Sequence, residues 1–280
     1  MIPLLLCSDL DRTLLPNGAQ PESAQARKKF ARLVQQPMVS LAYVTGRDQQ
    51  LVKQAIEEYQ LPQPDYVIAD VGSTVYKISH TQWQQQLAWD EIIAADWQGV
   101  EHDKLQTLFS DIALLRLQPA EKQNRFKLSY YVSLPADHAA IMAAMEKILQ
   151  QHSIKANLIW SVDEQDNTGL LDLLPASAGK RQAIEFVMQQ AGFDPANTVF
   201  AGDSGNDICV MSSSLQSVLV ANASDKVRQD AVHCAEQNRQ REKLYLAKGD
   251  FMGMNGNYSA GILEGVVHFV PETAAWLADE

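Results

Sequence analysis

Two aspartates, Asp9 and Asp11, stand one leucine apart where the apolar run of "LLLCSDLDRTLL" (residues 4–15) gives out. So short an apolar run reads as a buried strand, and alternation along it turns both carboxylates to one side of its end. An aspartate can attack phosphorus as a nucleophile, and a second carboxyl beside it can give up a proton and later take one from water. For an isolated Asp-x-Asp pair, a turn cap and a solvated carboxylate would suffice. Three other segments change that balance. "AYVTGR" ends in Thr45, Gly46 and Arg47, "VFAGDSGND" carries Asp203 with Asp207 four residues on, and Lys180 opens a helix that leads into it. Converging carboxylates call for a cation, and an oxygen-only ligand set suits magnesium.

The elements that must position these groups follow from periodicity. Ala26, Phe30, Leu33 and Val34 share a helical face, and "MVSLAYV" (38–44) reads as a buried strand. A second stripe, Leu51, Val52, Ala55, Ile56 and Tyr59, precedes the strand-like "YVIA" (66–69). The rhythm returns with Ile184, Val187 and Met188 on a helix ending at Gly192, then strands "TVFAGD" (198–203) and "SVLVAN" (217–222). This order predicts a parallel sheet with crossover helices, whose ligands bind outside the carboxyl ends of the strands. Asp9, Thr45 and Asp203 all fall there.

Between these stretches, from about His80 to Asp172, the order reads helix, strand, helix, strand, strand. Phe126, Leu128, Tyr130 and Val132 alternate with polar residues, as in an antiparallel sheet with one wet face. The expected organisation is therefore a discontinuous core, residues 1–80 and 173–280, with a smaller α/β module, residues 81–172, inserted into it. Lys127, Ser129 and Tyr131 would lie on the open face of that module.

Composition narrows the partners. The 280 residues carry a formal net charge of -11, which repels nucleic acid and acidic membranes, so any anionic substrate needs local cations. The apolar run at residues 2–7 is too short for a bilayer span and has no signal-peptide pattern around it. Cys7, Cys209 and Cys234 are an odd number without metal-ligand spacing, which fits a reducing compartment. A cytoplasmic protein is the expectation.

"DLDRT", "VTGR", "SAGKRQAI" and "GDSGND", in this order, resemble the four signature motifs of the haloacid-dehalogenase-type phosphatases. "NRFKLSYYV", "LLDLLP" and "AGILEGVVHF" are similar to sucrose-phosphate phosphatases, and the likeness covers essentially the whole chain. It implies a Rossmann-like core with an inserted α/β cap that recognises substrate. Asp9 would be the nucleophile and Asp11 the general acid and then base, with Thr45 and Lys180 holding the phosphoryl oxygens. Magnesium would be bound by Asp9, the Asp11 backbone carbonyl and Asp203, with Asp207 ligating or orienting. Gly46, Arg47, Asn206 and the cap residue Lys127 would complete the substrate site. The implied reaction is hydrolysis of a sugar phosphate, foremost sucrose 6-phosphate. Mannosylfructose phosphate, mannosyl-3-phosphoglycerate and trehalose 6-phosphate are alternatives, and a catalytically silent sugar-phosphate sensor is a third class. A sugar-phosphate synthase is a possible partner. Two residues depart from the pattern: Arg12 replaces a smaller residue, and Arg181 follows the lysine where glycine is common. Three signals stay open: Trp83, Trp89 and Trp97 as core or sugar platforms, His268 on the last apolar stripe, and the glycine-rich segment 248–261.

Overall fold

The computed structural model describes residues 3–163 and 166–278. The larger sheet is built on β1 (Leu4–Ser8), β2 (Val39–Val44) and β3 (Tyr66–Ala69), followed by β4 (Thr74–Ser79) and β5 (Gln82–Gln85). The smaller sheet contains β6 (Arg116–Leu117), β7 (Leu128–Ser133), β8 (Ala156–Asp163) and β9 (Thr168–Pro175). The chain then returns to the larger sheet through β10 (Thr198–Gly202), β11 (Gln216–Leu219) and β12 (Leu244–Leu246).

In space the larger sheet runs β12-β11-β10-β1-β2-β3-β4-β5, parallel as far as β3, with β4 and β5 antiparallel at the far edge. From β1 the chain moves outward to β2 on one side and comes back through β10 on the other. The strand order reverses at β1, and a crevice opens beyond its carboxyl end.

Both faces of that sheet are covered, so its central strands are apolar on both sides. Leu4 and Leu6 pack with α1 (Ala26–Val34), α2 (Gln49–Glu58) and the C-terminal helix Ser259–Phe269. Leu5 and Cys7 face the opposite layer, which includes Ile184 and Val187. Those two residues lie on the helix Lys180–Ala191, which ends in Gly192 at φ 77°, a left-handed cap. The Asp48 side chain caps α2 by accepting from the Leu51 N–H at 2.9 Å.

The smaller sheet, ordered β6-β7-β9-β8, is antiparallel throughout. The helix His138–Gln151 packs on one side of it through Ile141, Met145 and Leu149. Its register places Ser129, Asp172 and Ile159 in one row across three strands, with Tyr131, Leu170 and Ser161 in the next. These rows share the face turned away from the helix. The two sheets are not independent bodies, because one apolar cluster runs from Leu5 and Val44 through Trp89 to Leu128 and Leu171.

Two sequence expectations need correction. Gln82–Gln85, assigned to the inserted module, pairs with β4 as the edge of the larger sheet, and β9 continues to Pro175. Its polar "QWQQ" gives no strand signal, and a hairpin at His80–Thr81 supplies the pairing instead. The face carrying Lys127, Ser129 and Tyr131 is not wet: Lys127 is 4% exposed and Ser129 is fully buried. The Ser129 hydroxyl donates to the buried Asp172 carboxylate of β9, and the Lys127 ammonium meets Asp70, which follows β3, at 3.5 Å. The tryptophans are settled as well. Trp89 and Trp97 are buried against Phe186 and Phe126, and Trp83 packs on Tyr76. His268 stacks on Tyr245. Among the described residues no helix is long and apolar enough to cross a membrane.

One close crossing fixes how the sheet meets the helix Lys180–Ala191. Gly72 has φ +96°, and a Cβ there would lie 2.3 Å from the Gly179 carbonyl carbon. Gly99 has φ +80° with nothing within 4 Å of a would-be Cβ. We expect Gly72→Ala to cost about 2–5 kcal/mol in denaturant unfolding, the sum of left-handed strain and a backbone clash. Gly99→Ala should cost about 1 kcal/mol, from backbone strain alone. Equal costs at the two sites would contradict the crossing.

Candidate active site

β1, β2 and β10 deliver their carboxyl-terminal residues to one crevice. Asp9 follows β1, is 5% exposed, and has its N–H fixed by donation to the Ala201 carbonyl at 2.9 Å. Its Oδ1 accepts from the Lys180 Nζ at 3.1 Å. The same ammonium donates to Asp207 Oδ1 at 2.6 Å, and Lys180 is 1% exposed. Burial alone would lower the lysine, but Asp207 and Asp9 lift it above its ordinary value, so it stays charged.

Asp207 is fully occupied from within. Its Oδ2 accepts from the backbone N–H groups of Asp203 and Ser204, each at 3.1 Å, and from the Ser204 hydroxyl at 3.2 Å. A Cβ at residue 202 would sit 2.5 Å from that oxygen, which is why the turn needs glycine there. Asp207 thus braces the turn and the lysine. Asp203, 4% exposed, accepts from the Thr13 hydroxyl at 3.1 Å and lies 3.5 Å from the Arg12 guanidinium.

The carboxylates of Asp9, Asp203 and Asp207 offer ligand atoms within 4.8 Å of one another. Three buried carboxylates with oxygen donors fit a hard divalent cation such as magnesium, with Asp9 and Asp203 the less encumbered ligands. Burial, then the Asp207 charge, pushes Asp203 up to about 7, and burial raises Asp9 as well.

The Asp11 side chain does not join that cluster. It is 44% exposed and gripped by Arg47, whose Nε and Nη2 donate to its two oxygens at 2.8 and 2.6 Å, while Asn17 donates at 2.7 Å. Burial would raise the Asp11 carboxyl, but these hydrogen bonds outweigh it and hold it below the usual carboxylate range. Arg47, expected on substrate, here clamps the Asp11 carboxylate.

Thr45 is fully buried at the end of β2; its N–H donates to the Ile68 carbonyl at 2.8 Å, and its hydroxyl accepts from the Arg47 N–H at 3.2 Å. Gly46 is exposed beside it. Asn206 lies on the Asp203–Asp207 turn, its side-chain oxygen accepting from Ser204. Lys127 reaches the core from the smaller sheet and pairs with Asp70 at 3.5 Å.

Sequence reasoning missed Thr13, Asn17, Asn222 and Asp70. Thr13 lies inside "DLDRT", so its motif was the available signal. Asn222 donates to the Arg12 carbonyl at 2.6 Å and accepts from the Tyr258 N–H at 2.8 Å. The 248–258 segment packs on residues 18–23, with Tyr258 bonding the Gln20 carbonyl and Asn255 and Asn257 the Pro21 carbonyl. That segment therefore borders the loop following Asp11.

The family model described as sucrose-6F-phosphate phosphohydrolase matches residues 2–270. The chain belongs to this family. It is 53% identical to a HAD-like hydrolase of Nitrosococcus oceani over 98% of this chain and 74% of that protein. It is 27% identical to the mannosylfructose-phosphate phosphatase of Agrobacterium fabrum, over 96% of this chain and 98% of the relative. The structure of the sucrose-phosphatase of Synechocystis sp. PCC6803, in complex with sucrose and phosphate, aligns with TM-score 0.77 and 26% identity, covering 96% of this chain and 99% of that one. The chain is thus a haloacid-dehalogenase-type member of a sugar-phosphatase family.

The acidic cluster makes the metal-free protein sensitive to pH. Asp203 is raised in the folded state, so its contribution to stability is present at acid pH and is lost as pH rises through about 7. A cation that replaces the proton should reverse this. We expect magnesium to raise the melting temperature more at about pH 8 than at about pH 5.5, since at the lower pH it must displace a proton. A magnesium shift that is equal at both pH values, or larger at the acid one, would contradict this placement of the cation.

Proposed function

We propose that this chain is a magnesium-dependent phosphomonoesterase that hydrolyses sucrose 6-phosphate to sucrose and phosphate through an aspartyl-phosphate on Asp9. The observation that carries the reading is the Asp9–Lys180–Asp207 chain of contacts, with Asp203 beside it, at the end of β1. Residues 81–172, less the β5 strand, act as the cap that recognises the sugar.

In this reading Lys180 holds a transferring phosphoryl oxygen and keeps the Asp9 carboxylate ionised for attack. Thr45 and the neighbouring Gly46 N–H line the other side of the phosphate, and Asn206 contributes from the β10 turn. Magnesium, held by Asp9, the Asp11 carbonyl and Asp203 and braced by Asp207, would neutralise charge on the phosphoryl oxygens. Asp11 protonates the departing sugar oxygen and then, as the Arg47-clamped carboxylate, takes the proton from the hydrolytic water. Clamping suits the second task, since Arg47 favours the ionised form. Loading the proton for the first task requires the clamp to loosen.

The sugar is read by the cap face that carries Lys127 and Tyr131. An ammonium has three donors, and among the described residues the Asp70 carboxylate is its only partner. Donors therefore remain for sugar hydroxyls. The similarity to a mannosylfructose-phosphate phosphatase keeps that disaccharide phosphate as the rival substrate. A synthase that makes the sugar phosphate is the natural supplier of the reaction.

A panel of sugar phosphates assayed for phosphate release tests the assignment. Sucrose 6-phosphate should give the highest kcat/KM, EDTA should abolish turnover, and magnesium should restore it. Higher kcat/KM on mannosylfructose phosphate would overturn the substrate, and full activity in EDTA would overturn the metal.

Asp9→Asn should lower kcat by about three orders of magnitude or more while leaving the fold intact, because the amide cannot attack phosphorus. Asp11→Asn should slow phosphorylation by the sugar ester more than by p-nitrophenyl phosphate, whose leaving group needs little protonation. Equal slowing of both esters would remove Asp11 as the acid.

A further inference from the structure

Residues 70–74 form a turn that touches the Thr45–Arg47 loop, the Lys180 helix and the cap together. Asp70, Val71 and Gly72 all have positive φ, at 53°, 61° and 96°. A β-branched residue in that region is a conformational outlier, which persists only where surrounding contacts enforce it. Those contacts are visible. The Asp70 N–H donates to the Arg47 carbonyl at 2.9 Å and the Val71 N–H to the Thr45 carbonyl at 3.0 Å. The Gly72 carbonyl accepts from the Trp89 indole at 3.2 Å, and Gly72 abuts the Gly179–Lys180 backbone.

On its other side the same turn meets the cap. The Asn124 amide donates to the Ser73 hydroxyl at 3.0 Å. The Asp70 carboxylate, fixed by the Thr74 hydroxyl at 3.0 Å, faces the Lys127 ammonium at 3.5 Å. Asp70 is 6% exposed and Lys127 4%, so neither charge has water as an adequate substitute.

We propose that Asp70 is a positioning residue that selects substrates by length: through Lys127 it sets where the cap's sugar-reading ammonium stands relative to the Thr45 phosphate loop. This rests on the sugar-phosphatase reading above. The turn is stitched to Thr45 and Arg47 by backbone bonds, and its carboxylate points at Lys127, so one rigid unit spans the two ends of the substrate. A disaccharide phosphate that bridges both ends draws binding energy from the fixed separation. A small phosphate ester engages the phosphate end alone and is indifferent to it.

The test is a double-mutant cycle in the full chain with Asp70→Asn, Lys127→Ala and both together. Asparagine tolerates left-handed φ, so Asp70→Asn should fold; if it does not, Asp70→Gly keeps that conformation and replaces it in the cycle. The substrates are the sugar phosphate that the wild type prefers and p-nitrophenyl phosphate. Each single variant should lower kcat/KM for the sugar phosphate on the order of tenfold, and the double variant should match Lys127→Ala alone, because the two residues act as one unit. For the small ester kcat/KM should change by less than about threefold in Asp70→Asn.

Multiplicative losses in the double variant, or parallel losses on both esters, would overturn the proposal and leave Asp70 with a merely structural role. The wild-type panel separates this from the substrate assignment. Preference for an ester other than sucrose 6-phosphate overturns that assignment, while the cycle is still read on the preferred ester.

Discussion

One buried ammonium organises this protein. Lys180, almost without solvent contact, lies between Asp9 and Asp207, and three carboxylates share a pocket that a single lysine cannot neutralise. Leaving any of these charges unpaired in the interior would cost far more than a surface ion pair returns. The fold therefore supplies compensation on every side: backbone N–H groups for Asp207, Thr13 and Arg12 for Asp203, and the Ala201 carbonyl to fix the Asp9 backbone. What remains uncompensated is negative charge on three buried carboxylates, which a divalent cation would neutralise.

That arrangement demands unusually close backbone packing, and glycine provides it at two places. Gly202 lets the Asp207 carboxylate fold back under the end of β10, and Gly72 lets the turn after β3 touch the start of the Lys180 helix. The strands converge because the sheet order reverses at β1, so three strand ends and one helix start meet within a few ångströms. Arg47 adds a separate constraint by clamping Asp11 outside the acidic cluster, which leaves one of the two neighbouring carboxylates buried and the other half-exposed.

Much of this was legible in the sequence because it is local. Parallel strands buried on both faces leave apolar runs such as residues 4–8 and 39–44, and the polar residues Asp9 and Thr45 follow directly at their ends. The order of Asp9, Thr45, Lys180 and Asp203 along the chain was sufficient to place them at one edge of one sheet. What escaped depends on contacts that periodicity does not encode. "QWQQ" became a strand because a hairpin carried it onto β4, not because of its own side chains. The face of Lys127 and Ser129 looked wet because alternation reports on one strand, and the partners that take up these side chains, Asp70 and Asp172, lie elsewhere in the chain. Arg47 and Asp70 took partners, Asp11 and Lys127, that lie 36 residues from the first and 57 from the second.

The central claim is that Asp9 carries the phosphoryl group. Acyl phosphates are reduced by borohydride, which converts an aspartyl phosphate to homoserine while leaving ordinary carboxylates untouched. Peptide mass spectrometry of the enzyme quenched with borohydride during turnover of sucrose 6-phosphate should find homoserine at position 9, dependent on substrate and magnesium. An unmodified Asp9 during active turnover, or homoserine at Asp203 or Asp11 instead, would contradict the account.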